Sequence, residues 1–128
     1  MKNSFLVILT LLGIQQINAQ FTRRDSLQGG LRIERTSYDV KRYDLNIKIN
    51  PEEKSILGFN EITFKVIDKV KKIQLDLFKN MKIDSIIWNK KSLNYTRDIN
   101  AVFIDFSSEN LDLNSLHSIK VYYSGKPL

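Results

Sequence analysis

Cysteine is absent from this 128-residue chain. No disulfide can brace it, so side-chain packing has to supply its stability. Histidine occurs once, as His117. Zinc sites take several His, Cys or carboxylate ligands at set spacings, and a lone histidine with no HExxH partner does not supply them. Proline occurs twice, as Pro51 and Pro127, both in turn-like settings. A membrane-length apolar run is missing too. The stretch "FLVILTLLGI" (Phe5–Ile14) falls short of the roughly 20 residues that a spanning helix requires. With Lys2 before it and Ala19 after it, the stretch reads as the apolar part of a signal peptide, residues 1–19, cut between Ala19 and Gln20. No cysteine follows it, which argues against a lipid anchor. The expected destination is secreted or periplasmic, with no stable membrane span after cleavage. What remains after cleavage suits one domain with a working core.

The net charge is +6, but it is not concentrated. Lys48, Lys65, Lys69, Lys79, Lys82 and Lys120 are interspersed with Glu61, Asp68, Asp76 and Asp84, the pattern of solvated strand faces. A nucleic-acid surface would need a dense basic patch with exposed aromatics between the charges. The nearest approach to one, "KVKK" (69–72), falls at a turn, so no nucleic-acid partner is expected.

Alternation of period two dominates from Tyr38 onward. Leu45, Ile47 and Ile49 point one way, Asn46 and Lys48 the other. Tyr38 and Val40 have the opposite parity to Tyr43 and Leu45, which predicts a bulge near Lys41–Arg42. "PEEKS" (51–55) turns the chain at Pro51. The next strand, about 56–67, carries Ile62, Phe64 and Val66 on one face and contains Gly58. That glycine marks either a bulge or the close approach of another backbone. "IQLDLF" (73–78) should bury Ile73, Leu75 and Leu77 and expose Gln74 and Asp76. "KIDSIIW" offers Ile83, Ile86 and Trp88. "NKK" (89–91) leads into "SLNYT", and Lys90, where Asn-Gly is preferred, suggests a turn other than the two-residue type. "AVFIDF" should bury Val102, Ile104 and Phe106. Residues 107–115 read as a loop, with room for one helical turn, and "SIKVYY" is the last strand, with Ile119, Val121 and Tyr123 inward. Seven short strands and no clear helix predict an all-β fold, an antiparallel β-sandwich over residues 38–128. Residues 20–37, with Gly29-Gly30 and weak periodicity, read as an exposed, flexible leader. In it, Arg23 and Arg24 are either plain solvated charges or a dock for something acidic.

Catalytic chemistry is not legible in the chain. Ser115 and Asp112 lie near His117, yet no nucleophile-elbow motif surrounds a serine. His117 reads as a solvated loop residue. Glu52 and Glu53 splay from a turn into water, a poor setting for acid–base work. "NYT" (94–96) matches a glycosylation sequon but reads as ordinary strand sequence. Trp88 and Tyr95 could stack on a sugar if exposed, although their alternation with Ile86 and Leu93 favours core packing.

The order of the strand motifs carries a resemblance. Tyr38-Asp39-Val40 is followed by Tyr43 and Leu45, then by Gly58, Ile62, Thr63 and Phe64. Leu75-Asp76-Leu77, Ile83-Asp84-Ser85 and Tyr123-Ser124-Gly125-Lys126-Pro127 complete the series, and the leader "RRDSLQGGLRIERTSYDV" fits as well. This series resembles the opening of the zinc aminopeptidase N family, the gluzincin (M-one) metallopeptidases, and its secreted bacterial members in particular. The resemblance implies the first part of a saddle-shaped N-terminal β-sandwich that precedes a catalytic domain. In the family that domain carries GxMEN for the substrate amino terminus, HExxH with a downstream Glu for zinc, and a Tyr for the transition state. None of these motifs occurs here. No catalytic, metal or substrate-binding residue is therefore carried over. The implied zinc belongs to a missing catalytic domain, which would be this chain's partner and would handle the peptide substrates. The chain should be inactive alone, and the ending at Gly125-Lys126-Pro127, inside a turn signature, fits an incomplete sandwich. The alternative is a free-standing secreted β-sandwich that binds a glycan or a protein.

Overall fold

The computed structural model describes residues 20–69 and 71–128. The segment read as a signal peptide, 1–19, lies outside the described residues. The leader forms helices α1 (Arg23–Gly29) and α2 (Ile33–Thr36). Eight strands follow: β1 (Tyr38–Asn50), β2 (Ser55–Val66), β3 (Lys72–Asp76), β4 (Met81–Trp88), β5 (Lys91–Ser92), β6 (Tyr95–Asp98), β7 (Ala101–Asp105) and β8 (Leu116–Gly125). They make a five-stranded sheet in the order β1-β2-β8-β4-β5 and a three-stranded sheet in the order β3-β7-β6. Every pairing is antiparallel, as the alternation requires. Where the sheets face each other, Ile62, Phe64 and Val66 of β2, Ile86 and Trp88 of β4, and Ile119 and Val121 of β8 meet Ile73, Val102, Ile104 and Phe106. Each such side chain taken from water contributes about 1.5–3 kcal/mol. Ring edges lock the layer. Tyr38 meets Phe64 at 5.7 Å and 79°, and Trp88 meets Phe106 at 5.7 Å and 83°, geometries that favour an aromatic pair beyond its buried area.

The parity change in β1 is a register shift between Val40 and Arg42, where the sequence places it. A second shift lies between Ile83 and Ser85 and lets Ile83 and Ile86 both face inward. At Gly58 the register to β1 is unbroken, so the bulge reading fails and the close-approach reading holds. A Cβ there would lie 2.0 Å from the Asn46 carbonyl oxygen and 2.9 Å from the Ile47 Cα.

Several expectations need correcting. The predicted strand 92–96 is two strands in different sheets. The chain leaves the larger sheet after Ser92, Leu93 donates its N–H to the Ile86 carbonyl (2.8 Å), and the Asn94 carbonyl accepts from Asp105 N–H (2.8 Å). Alternation persists through the corner because Leu93 is still buried. The turn before it has only two residues, Asn89 (φ 47°) and Lys90 (φ 64°). It is the left-handed two-residue turn despite the lysine; cross-strand pairing overrides the local preference. The segment 107–115 holds no helix, and Leu111 anchors it in the core.

The leader is not a bare arm. Thr22 caps α1 in a reciprocal capping box with Asp25. Leu27 is 3 % exposed, and Ser37 is buried. The leader spreads over the outer face of the small sheet. Arg23 pairs with Asp98 of β6, the Arg32 guanidinium sits 5.6 Å from the Phe103 ring of β7, and Arg35 binds Asp76 of β3 at 2.7 Å. Gln74, expected on the exposed face, is 2 % exposed for the same reason. Its Nε2 donates to the Leu27 carbonyl (2.8 Å) and to Asp76 Oδ1 (3.0 Å). Seven- and four-residue helices are too short to show amphipathic periodicity, and apart from Leu27 their anchors are polar.

Candidate functional site

The small sheet covers only part of the larger one. Beyond its free edge, β3, the inward face of the β1–β2 ribbon lies open. At the boundary is a groove of about 280 Å³ bordered by Tyr38, Tyr43, Asn60, Ile62, Tyr123 and the Arg35–Asp76 pair. The β1–β2 register explains the open face that continues from it. Tyr43 stands opposite the buried Ile62, and next along the same face come Leu45 opposite Asn60, Ile47 opposite Gly58 and Ile49 opposite Ile56. Leu45 is 64 % exposed, Ile47 38 % and Ile49 67 %. These residues have core parity and, among the described residues, no cover. The sequence marks the face but not its exposure.

Polar groups rim the groove. Tyr38 donates its hydroxyl to the Gln74 backbone carbonyl at 2.5 Å. Burial, with smaller contributions from Tyr43 and Asp76, pushes its phenol up to about 12. Tyr123 is also pushed up, by burial. Asn60 Oδ1 is buried with no hydrogen-bond partner. Tyrosine hydroxyls, one ion pair and an apolar floor suit noncovalent docking of a segment or side chain.

The residues singled out in the sequence do not converge on this groove. His117 sits in β8 rather than in a solvated loop, against the rings of Phe64 (5.9 Å) and Trp88 (5.7 Å). Burial lowers its pKa, with the charge of Asp112 pulling the other way. Ser115 Oγ donates to the Asp112 backbone carbonyl and lies 2.7 Å from His117 Nε2. The hydroxyl's one proton is committed to that carbonyl, so the ring N–H donates to Oγ. That is the reverse of a base activating a nucleophile. The Asp112 carboxylate instead accepts from Asn110 (2.8 Å). Glu52 and Glu53 are exposed in the β1–β2 turn. Trp88 is buried while Tyr95 is exposed, reaching the Ile83 carbonyl at 3.3 Å, so the two form no joint platform. Arg24 bonds Gln28 at 3.0 Å. Among the described residues no three His, Cys, Asp or Glu side chains are grouped to hold a metal, and a zinc ion does not fit what is present.

A residue that sequence reasoning passed over is Arg97. Its guanidinium donates to the carbonyls of Met81 (2.7 Å), Leu77 (2.6 Å), Phe78 (2.7 Å) and Ile99 (3.2 Å). It ties β6 to the connection that carries the chain from the small sheet to the large one. No spacing rule marks such a residue, because its partners are backbone groups brought together by the fold.

No protein-family profile matches the chain, and no curated protein does. Solved structures do. An M1 zinc metallopeptidase from Deinococcus radiodurans superposes with a TM-score of 0.64 at 21 % identity, over 73 % of this chain and 22 % of its own. A form of that enzyme with a Tyr-Ser-Ala substrate gives 0.61 at 21 % identity, over 73 % and 21 %. Native yeast LTA4 hydrolase gives 0.57 at 14 % identity, over 70 % and 15 %. The chain thus spans about a fifth of the length of the metallopeptidases it matches. At these identities the likeness is one of fold: the two-sheet arrangement described above is the antiparallel β fold of the N-terminal region of M1 zinc metallopeptidases.

Proposed function

We propose that this chain is the N-terminal, non-catalytic part of a secreted zinc aminopeptidase, supplying scaffold and one wall of the substrate cleft. The observation that carries the proposal is the fold match with M1 zinc metallopeptidases, which covers most of this chain and about a fifth of theirs. The bare half of the β1–β2 ribbon supports it, because an apolar face of core parity is what a scaffold offers to a neighbouring domain. In this reading zinc and the reacting groups belong to the following catalytic domain, peptides are bound there, and the signal peptide delivers the protein outside the cytoplasm.

Three measurements test it. The reading frame after Leu128 should continue into GxMEN and HExxH; a frame that continues into an unrelated sequence would overturn the proposal. The purified chain with added zinc should leave amino-acid anilides and Tyr-Ser-Ala intact, and turnover would refute a non-catalytic role. Export is tested by sequencing the amino terminus of the secreted protein, which should begin at Gln20. The rival reading, a free-standing module for glycan or protein, has the Tyr38–Tyr43–Tyr123 groove in its favour. Saturable glycan binding abolished by Tyr43→Ala would support that reading.

A further inference from the structure

β1 is the outer strand of the larger sheet. After the bulge at Lys41 its pairing to β2 runs without a break from Arg42 to Asn50. All of these residues except Asp44 are exposed. A long, regular edge with no strand beyond it among the described residues is a template for another strand, and this one has a specific self-complementarity. Two copies paired antiparallel can meet only in registers that keep outward-facing backbone groups opposite one another, so the symmetry centre falls on a residue. The register that uses the whole regular run is centred on Asn46. It sets Asp44 of each copy opposite Lys48 of the other, Leu45 opposite Ile47, and Tyr43 opposite Ile49. Among the described residues Lys48 has no ion-pair partner, and Asp44 pairs only with its neighbour Arg42 (2.6 Å). The adjacent register centred on Leu45 sets Arg42 against Lys48 twice. The one centred on Ile47 makes no charge pair within the strand and drives Tyr43 against Pro51 of the turn.

We infer that β1 is a homodimerisation edge: two copies of this chain join β1 to β1 antiparallel about Asn46, giving a continuous sheet closed by two Asp44–Lys48 pairs. The pairing needs only residues 42–50 and goes beyond the peptidase reading, since the chain would form it with or without a catalytic domain. In the dimer Leu45, Ile47 and Ile49 of both copies form one apolar stripe across the joint, each side chain flanked by a cross-strand neighbour.

Sedimentation of the purified protein across a dilution series tests the inference. Wild type should pass from monomer to dimer. Asp44→Lys and Lys48→Asp should each weaken the dimer by about tenfold or more, because both attractive pairs become repulsive. An equimolar mixture of the two variants should form a heterodimer, since each introduced charge then faces its opposite, and the double swap should restore the homodimer. A wild type that stays monomeric overturns the inference. So does a dimer that ignores both single swaps, or a mixture that fails to associate while each variant melts as a folded protein. None of these outcomes depends on whether the chain precedes a zinc domain.

Discussion

The two halves of the β1–β2 ribbon differ most in cover. β1 alternates apolar and polar residues in both, and apart from the bulge at Lys41 both are paired across the ribbon. In one half Ile62, Phe64 and Val66 face the small sheet and are buried; in the other Leu45, Ile47 and Ile49 continue the same face into solvent. Alternation therefore reports which side of a strand is apolar. Cover depends on how far the opposing sheet reaches, and here β3 ends first.

That contrast can be broken or sharpened by substitution. The largest effect is expected in the covered half. Phe64→Ala should cost about 3–5 kcal/mol, the loss of a buried ring that touches Tyr38 and Phe106, measured by urea denaturation. A loss as small as that of an exposed residue would show that the sandwich core is not where the stability resides. At the boundary, Gly58→Ala should cost about 1–3 kcal/mol by forcing β1 and β2 apart at the Asn46 carbonyl. Hydrogen exchange should then loosen residues 45–60 before it loosens the core. Uniform loosening would mean that the ribbon is one cooperative unit.

Tyr38→Phe should cost about 1 kcal/mol at neutral pH through the hydrogen bond lost to the Gln74 carbonyl. It also removes a pH effect. The unfolded phenol titrates near 10.0 and the folded one near 12. The native state therefore holds its proton longer, and wild-type stability is full below pH 10 and falls as the pH rises toward 12. The variant should have a flatter alkaline limb; an unchanged limb would assign the effect to another group. The smallest effect belongs to the bare half. Ile47→Ser in dilute protein should change stability by no more than about 0.5 kcal/mol. A larger loss would mean that this face has a partner within its own chain.

Much of the fold was legible in the residues, for identifiable reasons. The bulge at Lys41 followed from a parity change, which no unbroken strand can accommodate. Gly58 signalled a place where no side chain fits. Val102, Ile104 and Phe106 alternate cleanly because both neighbours of β7 pair with it in regular ladders. The misses share a cause. Gln74, the leader helices, His117 and the corner at Leu93 are all placed by contacts with segments distant in sequence, through backbone carbonyls and ring faces that leave no periodic trace. The candidate groove was not legible either, since its residues come from α2 and from β1, β2, β3, β4, β7 and β8.

By itself the sequence determined most of the strands, the turn at Pro51, the inward parity of the strands and the absence of a cysteine staple, because these depend on composition or on neighbours a few residues apart. Only the tertiary structure decided which inward faces are covered, that the leader shields the small sheet, and that β1 stands at an open edge. Those outcomes turn on where one sheet stops against another, and that boundary is set by chain crossings that local spacing does not encode.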